Sequence, residues 1–360
     1  MSKINDLIKE LCPNGVKYKT IKEFTKVLRG KRLTTKELCD DASFPVYHGG
    51  LDPLGYYHEF NRIGDTVMVI NVGASAGTVG YSKCDFWSSD GCYCIEHNDI
   101  LLNKYLYHYL KNNENYFMGR VRKAGIPTLD SSVIEKFKIA IPPLEVQEEI
   151  VRILDKFGKL EAELEAELEV RKIQYEFWRR KLLNNEKYES VKINDIAYNV
   201  SSGKCNSRNE DGVYPVYGST GIIARTDEYL YETEKILIAR VGANAGYVHI
   251  ANGKYNVTDN TLILDLKDNV DLRFMYYYLQ NYNLNKLAKG GGQPLITGGQ
   301  IKDLDICLPP IQEQKRISNI LDKFDKLIND ISEGIPAEIE FRRKQYEYYR
   351  NMLLSFEEVS

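Results

Sequence analysis

The sequence predicts an α+β chain: two similar α/β domains joined by two long, antiparallel helical segments of coiled-coil type, related by a pseudo-twofold. Three repeats carry that prediction. IPPLEVQEEIVRILDKFGKL, from Ile141, returns as LPPIQEQKRISNILDKFDKL, from Leu308, with 11 of 20 aligned positions identical. Both segments close alike, as RKIQYEFWRRKLL (171–183) and RRKQYEYYRNMLL (342–354). The stretches ahead of them share a framework. FPVY at Phe44 matches YPVY at Tyr214, VGASAGTVGY at Val72 matches VGANAGYVHI at Val241, and SSD at Ser88 matches VTD at Val257. KYLYHYLKN at Lys104 matches RFMYYYLQN at Arg273, and IPTL at Ile126 matches QPLI at Gln293. Matches at a nearly constant offset mark an internal duplication. The division that follows is a globule over 1–142, a helix over 143–184, a second globule over 185–309 and a second helical segment over 310–354.

Taken in order, residues 19–28 read as a strand or short helix entering the basic loop RGKRLTTKE. FPVYHGGL gives a strand end and a glycine turn. TVMVINVG (66–73) is an apolar strand, GASAGTVGY a small-residue turn into another, and CYCIEH (92–97) a further strand. From Asn103 to about Met118 the spacing is helical, with Tyr105, Leu106, Tyr109 and Leu110 on one face. The basic loop GRVRKAGIPTLD follows, and VIEKFKIAIPP leads back to the helix. There, alternating steps of three and four run from Gln147 through Ile150, Leu154, Phe157, Glu161, Leu164, Leu168, Arg171, Tyr175 and Trp178 to Leu182, a heptad seam. The double proline before it ends the strand and opens the helix. The second seam runs from Gln314 through Ile317, Leu321, Phe324, Ile328, Ile331, Ile335, Ile339, Arg342, Tyr346 and Tyr349 to Leu353. Gly334 and Pro336 predict a break in it, with Pro336 opening a new helix. A helix of about 40 residues spans about 60 Å, so the first holds the globules apart. The second pairs its seam by lying antiparallel, which inverts one globule against the other.

Composition narrows the classes. The chain has 360 residues, 11% aromatics and 26 tyrosines, which suits folded domains. No apolar run approaches the roughly 20 residues of a membrane span, and the charged N-terminus lacks a signal-peptide core; cytoplasmic residence is expected. The net charge of −3 argues against wholesale coating of nucleic acid, although residues 1–140 carry 19 Lys and Arg against 16 Asp and Glu. DNA contact would therefore use local basic loops or share the work with a partner. Seven cysteines without a CxxC pair read as reduced thiols, with Cys92 and Cys94 expected on opposite faces of a strand. The five histidines show no ligand spacing, so no metal is expected, and His108 reads as structural. Catalytic motifs are missing: IPPL and LPPI have no acid or amide before the prolines, and Gly203-Lys204 lacks the rest of a phosphate loop. Gly73/Gly77 and Gly242/Gly246 read as tight-turn glycines.

Two similar but non-identical readers at a fixed separation suit a bipartite target, and duplex DNA is the polymer whose half-site spacing such a rod would match. The helix start PP…Q…I…ILDKF, the R-x-x-QYE end and the duplicated PVY…VGAxAG…(T/S)D framework resemble the specificity subunits of type I restriction–modification enzymes, across essentially the whole chain. EAELEAEL (161–168) is similar to the tandem tetrapeptide of one group of these subunits, where repeat number changes the target's spacer; four helical residues add about 6 Å. The resemblance implies a noncatalytic, sequence-specific DNA-binding subunit in which 1–142 and 185–309 are target-recognition domains, each reading one half of the target. It implies as partners double-stranded DNA, two methylation subunits carrying S-adenosylmethionine and methylating adenine, and restriction subunits using ATP and Mg. No cofactor is expected in this chain and no membrane contact.

Base-reading groups are expected on loops held by the scaffold. In the first domain these are Arg29, Lys31 and Arg32, then His48 and Gly49, Ser75, and Arg120, Arg122 and Lys123. In the second they are Lys204 and Arg208, Ser219 and Thr220, Arg240 and Asn244, and Lys289 and Gln293. Arg and Lys reach guanine edges or phosphates, and Asn and Gln pair with adenine edges.

Overall fold

A computed structural model describes residues 2–184, 187–207, 209, 211–290 and 292–359. The chain forms two compact units. The first comprises residues 1–163 and 339–360, and the second residues 164–338.

The first unit opens with α1 (Ser2–Leu11) and β1 (Lys17–Thr20). Then come β2 (Val27–Arg29), β3 (Phe44–Tyr47), β4 (Gly55–Tyr57), β5 (Thr66–Ile70), β6 (Val79–Ser82), β7 (Trp87–Ser88) and β8 (Cys92–Ile95). The helices α2 (Asn103–Asn112), α3 (Glu114–Met118) and α4 (Ser131–Glu135) lead to β9 (Lys138–Ile141) and the 40-residue α5 (Leu144–Leu183). The strands form an antiparallel sheet β2-β8-β5-β6, a sheet β4-β3-β7 and a pair β1-β9. Strand alternation divides the core. Val67 and Val69 of β5 pack with Tyr105, Leu106 and Leu110 of α2, while Met68 and Ile70 face Phe86, Cys92 and Cys94. Cys92 and Cys94 thus lie together in one buried cluster. The expectation of opposite faces is wrong, because positions two apart in a strand share a face.

The second unit repeats this plan. Its elements are β10 (Ser190–Lys192), α6 (Ile193–Ile196), β11 (Ala197–Ser202), β12 (Tyr214–Gly218), β13 (Gly221–Thr226), β14 (Lys235–Ala239) and β15 (Val248–Ala251). β16 (Asn256–Val257), β17 (Thr261–Leu266), α7 (Leu272–Tyr282), α8 (Gly298–Lys302) and β18 (Asp305–Cys307) follow. The strand orders β11-β17-β14-β15, β13-β12-β16 and β10-β18 reproduce the first unit's one for one, including a parallel β12–β16 pair against the parallel β3–β7 pair. The chain then runs through α9 (Ile311–Asn329) and α10 (Ile335–Leu353).

Each double proline is followed at once by a helix. A buried glutamine inside the first turn locks it to the domain. Gln147 donates to the Pro142 and Ile100 carbonyls and accepts from the Leu102 N–H at the head of α2. Gln314 does the same in the second unit, donating to Pro309 and accepting from Asp271 at the head of α7. The aspartate of each ILDKF run then binds the same position of the domain helix. Asp155 lies 3.0 Å from His108, and Asp322 accepts from the Tyr277 hydroxyl at 2.6 Å. His108 is buried, in keeping with a structural role.

Within the first unit, Phe157 stacks on Tyr349 and meets Tyr346 at a tilt, and Arg343 binds Glu161 at 2.6 Å. Rising numbers on α5 meet falling numbers on α10, so these helices are antiparallel there. Within the second unit, Tyr175 meets Phe324. The break in the second seam falls between Asn329 and Ile335, with Pro336 in the first turn of α10. A Cβ on Gly334 would come within 2.6 Å of the Asp330 carbonyl.

Three further expectations differ from the fold. The helix predicted to reach Met118 is interrupted at Asn113, whose amide donates to the Tyr109 carbonyl and ends α2. Trp178 is exposed and Leu183 buried: steps of four from Tyr175 rotate the buried face away from a strict heptad. Ile331 lies in the break and is 87% exposed. The sequence reading also missed α1 and the chain's closing residues, where Val16 exchanges backbone hydrogen bonds with Glu357 and Val359.

Candidate nucleic-acid interface

In the first domain three predicted residues share a cleft of about 680 Å³. Arg29 at the end of β2, Arg32 in the following loop and His48 just after β3 line it with Thr34, Asn71, Asp90 and Gly91. The packing of β2 on β8 and of β3 on β7 brings these loops together. His48 accepts at Nδ1 from the Gly91 N–H at 3.2 Å, which leaves Nε2 as its donor. The approach of Asp90 to the same nitrogen, 3.4 Å, is therefore not an ion pair. Asn71 is buried, and its Oδ1 has no partner. The cleft thus presents two guanidinium groups, an imidazole donor and an amide, a mixture suited to phosphates and base edges.

The other candidates of this domain stand outside the cleft. Lys31 is fixed through its backbone, donating to Ser88 and accepting from the Trp87 indole. Gly49 and Ser75 belong to turns beside Val72, and the Ser75 carbonyl accepts from Thr78. Arg120 lies 3.5 Å over the Tyr116 ring and donates to that residue's carbonyl. Arg122 and Lys123 are exposed on a loop that Arg122 and Thr128 close by exchanging backbone hydrogen bonds.

In the second domain, Lys289 and Leu295 close the corresponding segment in the same way, with Gln293 exposed on it. Arg240, the residue just after β14, accepts from Ile296 on the far side of that segment. Arg240, Lys289 and Gln293 are thus held on adjoining backbone. Ser219 and Thr220 form the two-residue tip between β12 and β13, closed by the Gly218–Gly221 pair. Lys204 is exposed beside Gly203. Arg208 lies outside the described residues. Asn244 lines a different cleft, of about 410 Å³, with Arg179, Asn283 and Asn285, which no other candidate of the domain lines.

The glycines of the VGAxAG turns are structural. Gly77 and Gly246 have φ of +92° and +94°, and a Cβ on either would run into the backbone at Met118 or Asn285. Among the described residues no group of three His, Cys, Asp or Glu side chains is placed to hold a metal, and no helix is long and apolar enough to cross a membrane.

The long helices carry a repeated exposed apolar strip. Val170, Ile173 and Phe177 of α5 stand exposed in the second unit, and Phe341 and Tyr348 of α10 in the first. Val170 corresponds to Phe341 and Phe177 to Tyr348 in the repeat.

Comparison with known proteins accounts for both repeats. The family model described as the type I restriction modification DNA specificity domain matches twice, over residues 13–170 and 185–341. A type I restriction enzyme specificity subunit of Haemophilus influenzae is 28% identical over 381 residues, covering 97% of this chain and 98% of that protein. The crystal structure of an S subunit from M. genitalium superposes with a TM-score of 0.66 at 17% identity, covering 94% of this chain and 96% of that one, a likeness of fold. A structure from a type I system, described for complex assembly and conformational transition, gives a TM-score of 0.58 at 15% identity over 95% and 98%. The chain belongs to the type I restriction–modification DNA specificity family and is a specificity subunit, the recognition component rather than an enzyme in its own right.

Proposed function

We propose that each α/β domain reads one half of a bipartite DNA target and that the helical segments set the spacer between the halves. The observation that carries this is one scaffold built twice, strand for strand, with different residues on its loops. Matching scaffolds support equivalent docking, and different loops support different half-sites. The first domain would read through the Arg29, Arg32 and His48 cleft with Arg122 and Lys123, and the second through Arg240, Lys289, Gln293 and the Ser219–Thr220 tip.

The complex we propose contains two methylation subunits, which bring S-adenosylmethionine to adenine, and restriction subunits that use ATP and Mg, in the cytoplasm. One exposed apolar strip per unit supports two copies of the methylation subunit. This chain would contribute recognition and assembly.

The test is to map methylated adenines genome-wide with and without this chain in the presence of its methylation subunits. The proposal expects a two-part motif with a fixed spacer that vanishes when the chain is removed. Methylation independent of the chain, or a single continuous motif, contradicts it.

A further inference from the structure

Asn71 and Arg240 occupy the same place in the two domains. Each precedes a VGAxAG turn. The Asn71 carbonyl accepts from Leu129 at 2.9 Å, and the Arg240 carbonyl accepts from Ile296 at 2.9 Å. Their N–H groups donate to Gly91 and Asn260, each the residue after the aspartate of SSD or VTD. Their side chains also point the same way: Asn71 Nδ2 donates to the Asp90 carbonyl at 3.3 Å, and Arg240 Nη1 to the Asp259 carbonyl at 3.4 Å. Each then leaves one buried polar atom without a partner, Oδ1 of Asn71 and Nε of Arg240. The unused atoms have opposite character, an acceptor in one domain and a donor in the other. Asn71 also borders the cleft that holds Arg29, Arg32 and His48.

Buried polar groups in folded domains are nearly always paired. Arg62, Asn98, Arg179, His249 and Thr261 also carry such atoms, but only Asn71 and Arg240 carry them at the same framework position of both copies, a recurrence that points to a ligand. We propose that Asn71 and Arg240 are the corresponding base-reading positions of the two domains, Asn71 reading an amino-bearing base, adenine above all, and Arg240 reading guanine. The chemistry follows from the edges. Asn71 offers Oδ1 to an exocyclic amino group and still has one Nδ2 hydrogen for adenine N7. Arg240 has only donors, which fit guanine O6 and N7. The inference rests on the proposed reading of one half-site per domain and adds which side chain separates the halves.

The test uses the full chain with its methylation subunits and reads the methylated motif genome-wide for the wild type, N71R and R240N. Each variant is expected to alter one base pair, in opposite halves of the motif. Preference at that base should fall about ten- to hundredfold, with the other positions and the spacer kept. Where an exchange variant misfolds by thermal melting or methylates nothing, N71S or R240S replaces it, and the expected result is a degenerate base at that one position. An unchanged motif in folded variants, or changes in the same half for both residues, overturns the proposal. A motif that does not depend on the chain at all defeats the proposed function instead.

Discussion

His108 and Tyr277 answer one structural need with different chemistry. Each joins its domain helix to the aspartate of the ILDKF run. Burial pushes the His108 imidazole below its ordinary pKa even though Asp155 pulls the other way, while the hydrogen bond from His108, with Lys104, lowers the Asp155 carboxyl. A depressed histidine contributes stability that is complete above its unfolded value, about 6.5, and is lost as pH falls through the folded value. The depressed Asp155 keeps its contribution down to its unfolded value, about 3.9, and so adds nothing to a difference between pH 5 and pH 7.5. Tyr277 takes no proton in that range. The first unit of the wild type should therefore melt at a lower temperature at pH 5 than at pH 7.5, and His108→Tyr should narrow that gap by removing the imidazole. An equal gap in both proteins would mean that the histidine carries no pH dependence. The structural role of His108 was legible in the sequence from its place on the predicted helix and the lack of ligand spacing among the histidines. The unpaired amide oxygen of Asn71 was not, because TVMVINVG reads as one apolar strand and nothing in it separates a packed asparagine from an unsatisfied one. Cys92 and Cys94 were misplaced by misapplying the strand period, since residue spacing alone puts them on one face.

At the scale of elements, the duplicated helix starts and the Gly334–Pro336 break were readable because proline and glycine act locally. Where the buried face depends on packing, as at Trp178 and Leu183, the heptad template failed. The glutamines were readable as repeated residues, but their task of tying helix to domain needs the tertiary fold. Deletion of Glu165–Leu168 removes four residues from the middle of α5, about 6 Å of rise and slightly more than one full turn. It should leave both half-sites intact and shorten the spacer by one to two base pairs. A methylome with the original spacer would show that α5 does not set it.

At the scale of the whole chain, the internal repeat revealed two copies of one scaffold, and the strand orders agree element for element. The composition of each unit was harder to see. The first unit is closed by residues 339–360 as well as 1–163, so the last helix completes the domain at the other end of the sequence. Val16 and Val359 join in a backbone hydrogen bond that no sequence pattern signals. Pairing of distant segments depends on which apolar faces meet, and local propensity says little about that. In the proposed function, specificity resides in the two α/β domains separately and assembly in the helices. The most direct measurement exchanges residues 185–309 for the matching segment of the Haemophilus influenzae relative and maps the methylated motif. The account predicts that one half of the motif is replaced while the other half remains. A motif that keeps both halves, or changes both, would contradict it.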